Sequence, residues 1–304
     1  MKPIRILGVP LGLGTGHVRG TDLDWDVRTD RLAGMLNSAG FSADDCGSLA
    51  VPYPAGIGDT RAKFLHQIAE TCERIAVWTF ETSQAGKIPL VVGGDHSIAV
   101  GSVAGVSDYF RTQNQTLGLL WLDAHADMNT PETSPSGHVH GMALAGCVGL
   151  GAEALTTLRN FSPKVRPENT IVVGARDIDR DEVANIRNSG IKVFTIRDVD
   201  ERGMAAVMSE SIAMLRKTTS GIHLSLDMDV LDPAVAPAVS TPVPGGLTYR
   251  EAHLALEIFA DSGLLTSLDL VEFNPALDGS GLTAKVSAGL VASAFGKSIL
   301  PRAL

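Results

Sequence analysis

The sequence predicts one α/β domain over residues 1–304, a three-layer fold with a parallel sheet of about eight strands and helices on both faces. Three observations predict it. Short apolar, β-branched runs alternate with longer segments of helical periodicity, as in a sheet built through crossover helices. The apolar runs are nearly continuous rather than alternating, as expected of strands covered on both faces. Internal repeats, low-complexity tracts and charge blocks are missing, and α/β folds of this length are often single domains.

The chain opens on a β-branched apolar strand at 4–9, and a weaker strand follows at 41–46. Residues 61–84 carry the longest helical periodicity and lead to the strand 88–92, which ends in a Gly-Gly turn. The helix 99–112 connects it to the strand 116–122, and the strand 170–173 follows. The helix 181–189, strand 192–195, helix 203–217 and strand 222–226 then alternate, and the helix 249–261, strand 264–271 and helix 284–297 finish the pattern. Gly245–Gly246 and the near-pair Gly279/Gly281 read as turns. The glycine-rich stretch 12–20 after the first strand has the wrong spacing for a dinucleotide fingerprint and reads as a flexible loop.

Composition narrows the function classes. A net charge of −9 argues against nucleic acid or an anionic membrane as partner, because both reward clustered Lys and Arg, and it slightly favours cationic substrates. The three cysteines, Cys46, Cys72 and Cys147, form no CxxC pair, so neither a disulfide framework nor a thiolate metal site is expected. Pro3 and Arg5 interrupt any signal-peptide core, and no run approaches the ~20 apolar residues of a membrane helix. A reducing cytoplasm is the expected compartment.

In open parallel sheets, ligands bind beyond the carboxyl ends of strands. Asp123, His125 and Asp127 directly follow the strand 116–122, and in extended backbone alternate residues project to one side, so the three should converge. Asp227 and Asp229 share that period at the end of 222–226, and His96 follows 88–92. Taken singly, such residues are usually helix caps or turn residues. Taken together, four carboxylates in one crevice would repel one another unless cations sat between them. Oxygen-rich donors with two imidazoles and no sulfur suit a hard divalent ion such as Mn²⁺, and their number suggests two ions ~3.5–4 Å apart with a bridging solvent. Such a pair makes hydroxide available near neutral pH, a nucleophile in need of an electrophilic carbon.

Gly93-Gly94-Asp95-His96, Asp123-Ala124-His125-Ala126-Asp127 and Ser225-Leu226-Asp227-Met228-Asp229 with Asp232-Pro233 resemble the three metal motifs of the ureohydrolases. That family comprises arginase, agmatinase, guanidinobutyrase and formimidoylglutamase, and shares the arginase/deacetylase-like fold. The loop 129–137 with His140-Gly141-Met142, and the segments 236–242, 245–251 and 268–275, are similar to the bacterial-type arginases in particular. The resemblance spans nearly the whole chain. It implies two Mn²⁺ ions, one held by His96, Asp123, Asp127 and Asp227 and the other by Asp123, His125, Asp227 and Asp229, with Asp123 and Asp227 bridging.

It also implies roles. Asp127 would orient the bridging hydroxide, His140 would shuttle protons, and Glu272 would pair with a substrate guanidinium, whose planar fork of donors suits a carboxylate. A surface position for His140, or a salt bridge from Glu272 to a protein arginine, are the structural alternatives. Asn129, Ser136, Asp179 and Glu182 match the rim that holds the α-amino and α-carboxylate groups, and Thr241 matches a polar position near the metals. Asp179 could equally cap the helix that starts near Asp181. Homotrimers or homohexamers would be the family's assembly.

Two departures stand out. His138 occupies the position of the asparagine that donates to the substrate α-carboxylate in arginases, and an imidazole is bulkier and points differently. Gly20-Thr21-Asp22 replaces the common Gly-Pro before the first helix. The chemistry therefore has three readings: hydrolysis of L-arginine to ornithine and urea, the same reaction on guanidinobutyrate, agmatine or a modified arginine, or a paralogue that binds ligand without catalysis.

Overall fold

Eight strands form one sheet in the order β2-β1-β3-β8-β7-β4-β5-β6: β1 Ile4–Val9, β2 Ala43–Ser48, β3 Ile88–Gly93, β4 Leu117–Leu122, β5 Thr170–Ala175, β6 Lys192–Thr195, β7 Gly221–Asp227 and β8 Leu265–Val271. Every neighbouring pair is parallel. This computed structural model describes residues 2–16, 25–53 and 56–300, so the departure at Gly20-Thr21-Asp22 lies outside the described residues.

Period-2 alternation sorts the strand side chains into two buried layers. Ile88, Leu90 and Val92 of β3, Leu120 and Leu122 of β4, and Leu224 and Leu226 of β7 face one layer, made by α1 (Trp25–Ser38), α7 (Ile196–Arg202), α8 (Met204–Arg216), α9 (Tyr249–Asp261) and α10 (Leu282–Ala294). Val91, Leu119, Trp121 and Val172 face the other, made by α2 (Leu65–Gln84), α3 (Ala99–Thr112), α4 (Ala143–Cys147), α5 (Glu153–Thr156) and α6 (Glu182–Ser189). The domain is thus a single α/β fold with all strands parallel, as the alternation of elements predicts.

Of the expected helices, all form, with ends shifted by no more than a few residues. Four helices were not expected. Among the described side chains of helix α1, Leu32, Ala33 and Leu36 are its apolar contribution to the core, a sparse stripe in a polar background. The short α4 and α5 lie in the long segment between β4 and β5, and α7 is announced by its capping box, in which Thr195 and Asp198 satisfy each other's backbone N–H groups.

What the sheet order does for function is to place β3, β8, β7 and β4 side by side. Their carboxyl ends are in register, with Leu122 beside Leu226 and Leu226 beside Leu270. The residues that follow, Asp123, Asp227 and the Val271–Glu272 pair, therefore emerge together at one edge. His96 arrives from β3 through the 3₁₀ turn His96–Ile98, which the Asp95 carboxylate caps by accepting from Ser97 N at 3.0 Å.

Candidate metal centre and active site

All six expected ligands meet at that edge. The ring Nδ1 of His96 lies 3.1 Å from Asp123 Oδ2, 3.1 Å from Asp127 Oδ2 and 3.0 Å from Asp227 Oδ2. On the other side of Asp123, His125 Nδ1 lies 3.4 Å from Asp123 Oδ1 and 3.1 Å from Asp229 Oδ2. Two groups of donors thus share Asp123: His96 with Asp127, and His125 with Asp229.

The convergence was expected, but its mechanism differs from the extended backbone inferred for 123–127. The strand β4 stops at Leu122, and Asp127 adopts a left-handed conformation at φ 51°. This bend sends Asp127 towards His96 while His125 turns to Asp229, so alternate residues serve different groups. An L-residue held at positive φ costs on the order of 1 kcal/mol or more and persists where its surroundings demand it. Glu272, which leaves β8 at φ 59°, is held the same way.

Asp227 is both cap and ligand candidate, since Oδ1 accepts from Asp229 N at 2.7 Å and Oδ2 faces His96. Asp123 Oδ1 accepts from His125 N at 2.6 Å, and Oδ2 accepts from the indole Nε1 of Trp121 at 2.8 Å. Trp121 also stacks on His96, with ring centroids 4.0 Å apart and planes 8° from parallel. In sequence Trp121 is one more apolar strand residue, and nothing local marks it as support for a ligand.

A buried polar network fixes the tautomer of His96. The Ser225 hydroxyl donates its single proton to Asp269 Oδ1. At its 2.8 Å contact with His96 Nε2 it must therefore accept, so Nε2 carries a hydrogen and Nδ1 is the ring nitrogen left to face the carboxylates. Asp269 is held in turn by His223 Nε2 at 2.8 Å and Ser102 Oγ at 2.5 Å. Ser225, Asp269 and His223 were missed as site residues. The signal available was a polar residue inside an apolar strand, at 223, 225 and 269.

The electrostatics call for cations. Burial, then the neighbouring carboxylates Asp229 and Asp123, push the Asp227 pKa well above the usual range, and burial with Asp123 raises Asp229 as well. Burial and Asp123 push Asp127 up to about 6. Burial opposes charge on His96, yet Asp123, Asp127 and Asp227 raise its pKa well above the ordinary imidazole value. His96 Nδ1 and Asp127 Oδ2 are buried and, despite lying 3.1 Å apart, make no hydrogen bond among the described residues. Donors bound at ~2.1 Å to one octahedral ion stand ~3 Å apart at right angles, so this spacing and donor chemistry fit a hard divalent ion.

His140 and Glu272 complete the floor. Glu272 Oε1 accepts from His96 N at 2.8 Å and lies 3.0 Å from His140 Nδ1, while its buried Oε2 has no hydrogen-bond partner among the described residues. Among the described residues Glu272 therefore forms no salt bridge to an arginine, and His140 lies beside it at the ligand edge rather than on the open surface. Burial opposes the charged imidazole, but Glu272, with Asp127 and Asp95 beyond it, raises His140 to about 9.

Above this floor opens a cavity of about 180 Å³ lined by Asn129, Ser136, His138, Asp179, Glu182 and Thr241, together with His125, Asp127 and His140. Thr241 Oγ1 donates to Asp229 Oδ2 at 3.2 Å, which places it at the metal edge. Asp179 accepts from Asn129 Nδ2 at 2.8 Å, and Asp181 rather than Asp179 precedes α6. Glu182 is buried, pushed up to about 7 chiefly by burial, and both its oxygens accept from backbone: Oε1 from Met128 N at 2.6 Å and Oε2 from Asp179 N at 3.2 Å. It holds the loop that carries Asp127 and Asn129 as well as lining the cavity.

The glycine-rich stretch 12–20 is tied down, rather than left as a loose loop, over its described part, 12–16. Asp95 Oδ2 accepts from Gly14 N at 2.7 Å, Leu11 O accepts from Asp95 N at 2.8 Å, and Leu11, Leu13, Gly14 and Thr15 are buried. A Cβ on Gly14 would stand 2.2 Å from Asp95 Oδ1, so the glycine is there for close approach rather than for mobility.

Comparisons with known proteins agree with this geometry. Residues 2–296 match the family model described as "Arginase family". The chain is 45% identical to the arginase of Bacillus caldovelox over 99% of this chain and 100% of that protein. It is 44% identical to the arginase of Brevibacillus brevis over 98% and 99% of the two chains. The native structure of the B. caldovelox enzyme superposes with a TM-score of 0.91 at 43% identity, covering 99% of this chain and 100% of that one. With the sheet order, the three ligand motifs and the end-to-end likeness in accord, the chain belongs to the arginase family.

Proposed function

We propose that this protein hydrolyses the guanidino group of L-arginine to ornithine and urea, using two Mn²⁺ ions. The observation that carries the reading is Glu272 Oε2, a buried carboxylate oxygen without a hydrogen-bond partner among the described residues, beside the two donor groups. A buried acceptor left unpaired costs about 1–3 kcal/mol, and a guanidinium supplies the fork of donors that would satisfy it. His96, Asp123, Asp127 and Asp227 would hold one ion, and Asp123, His125, Asp227 and Asp229 the other. When bound, such a pair lowers the pKa of a water from ~15.7 towards ~7 and so supplies hydroxide at neutral pH.

The chain's own residues do the rest. Asp127, through the carboxylate oxygen turned away from His96, accepts a hydrogen bond from the attacking water and aims it. Glu272 orients the guanidinium carbon towards that oxygen, and its charge favours the protonated form of His140. His140 then delivers a proton to the departing amine of ornithine, a shuttle suited to an imidazole. Asn129, Ser136, Asp179 and Glu182 lie around the mouth where the α-amino and α-carboxylate groups of an amino acid would reach. The acidic rim and the net charge of −9 favour a cationic substrate over nucleic acid or an anionic membrane. Among the described residues, no helix is long and apolar enough to cross a membrane. The proposal extends to a cytoplasmic homotrimer or homohexamer, for which light scattering would give a mass of three or six chains.

His138 favours a second reading, the same reaction on agmatine or guanidinobutyrate. Its ring faces the cavity, 6.1 Å from that of His140, and lies where a Cβ on Gly16 would come within 2.9 Å of Nε2. Urea release from arginine, agmatine and guanidinobutyrate should rank arginine first in kcat/KM. The variant His138→Asn should turn arginine over equally well or better, because the amide restores a compact donor for the α-carboxylate. If arginine is inert while another compound releases urea, the second reading replaces the first. If none does, the protein is a ligand-binding paralogue.

A further inference from the structure

Arg176 takes part in no step above, yet its guanidinium is the most heavily committed side chain near the site. Nη2 donates to Asp229 O at 2.7 Å, to Val243 O at 2.8 Å and to Leu231 O at 3.2 Å. Nη1 donates to Val230 O at 3.1 Å and Gly174 O at 3.4 Å, and Nε donates to Val243 O at 3.3 Å. The backbone of the same residue is tied to the other ligand loop, since Arg176 N and Asp177 N donate to Ala124 O at 2.7 and 3.1 Å. The two loops also touch directly, with Ala124 N donating to Asp229 Oδ1 at 3.1 Å.

We infer that Arg176 is a positioning residue that sets the spacing between the Asp123–Asp127 loop and the Asp229 loop, and hence builds the second metal site selectively. The inference rests on the two-ion reading above. Its physical basis is that the second donor group, Asp123, His125 and Asp229, draws on both loops that Arg176 joins. The first group, His96, Asp123 and Asp127, draws on only one of those two loops and is anchored by His96, which β3, Trp121 and Ser225 hold. A planar fork is required: six donor contacts from three nitrogens onto five carbonyls cannot be reproduced by a lysine ammonium. The loop has adapted to the guanidinium as well, for a Cβ on Gly246 would lie 2.5 Å from Nη2 and 2.5 Å from Leu231 C.

The test is a Mn²⁺ titration of the metal-stripped full chain, followed by electron paramagnetic resonance, for wild type, Arg176→Lys and Gly246→Ala. Wild type should develop the spin-coupled signal of an ion pair as two equivalents bind. Both variants should bind the first ion within about threefold of wild type and the second about 10–100-fold more weakly, the usual effect of losing support behind a ligand. They should then show the uncoupled six-line signal where wild type shows the pair. A variant that fills both sites as wild type does, loses both equally, or fails to fold in either form overturns the assignment, the last two because Arg176 would then be a general fold determinant. A wild type that binds only one ion instead overturns the two-ion reading, so the two failures are distinguishable.

Discussion

Asp227→Asn is expected to lower kcat for urea release by about 10²–10³-fold or more while leaving the fold intact, because it weakens the carboxylate proposed to serve both ions. The amide keeps the oxygen that accepts from Asp229 N, so the 3₁₀ turn Met228–Val230 should survive. It removes one of the buried charges that Asp229 and Asp123 push against, so the metal-free variant should melt at or above the temperature of metal-free wild type. The metal-loaded comparison should go the other way, since an ion that binds only the folded state stabilises in proportion to its affinity. Steady-state kinetics together with melting curves with and without Mn²⁺ check both halves. Turnover within about threefold of wild type would remove Asp227 from the site.

Glu272→Gln is expected to cost a comparable factor for a different reason. Gln can still accept from His96 N, so the first ligand turn should hold and metal content should stay near wild type. The loss falls on the substrate and on His140. An amide presents donors where a guanidinium also presents donors, which raises KM. Without the carboxylate that raises it to about 9, the His140 pKa should fall towards the ordinary ~6.5. The alkaline limb of the kcat/KM profile should therefore move to lower pH.

The same pair shapes stability against pH. His140, whose folded pKa is raised, contributes fully below its unfolded value of ~6.5 and loses that contribution as pH rises through about 9. Glu272 is pulled below its usual value by His140 against the effect of burial, so its contribution is present above ~4.3 and is lost as pH falls through the lowered value. The variant should lack both slopes in chemical denaturation across pH 4 to 10. Unchanged KM and an unmoved alkaline limb would make Glu272 a purely structural residue.

Much of this molecule is legible in its residues because the relevant signals are local. Short continuous apolar, β-branched runs and period-3.6 patterns point to the strands and most helices, and Asp, His and Asp at spacing two after an apolar run name the ligand candidates. Helix α1 and the glycine-rich stretch 12–16 misled for the same local reason: neither Leu36 nor Gly14 carries in its neighbours what it will pack against.

Contacts far apart in sequence had to come from the assembled sheet. Its order puts β3, β8, β7 and β4 side by side, which sets His96 within hydrogen-bond reach of Glu272, 176 positions later in the chain. Alternation placed Asp123, His125 and Asp127 on one side, but the left-handed bend at Asp127 divided them between two donor groups. Trp121 behind Asp123, Ser225 behind His96 and Arg176 between the loops are ordinary strand and loop residues in sequence. Each acquires its role from a partner that the parallel strands bring alongside. A sequence window fixes the chemistry a residue carries and the face it presents, whereas the partner it meets depends on long-range strand pairing, which no window of the chain contains.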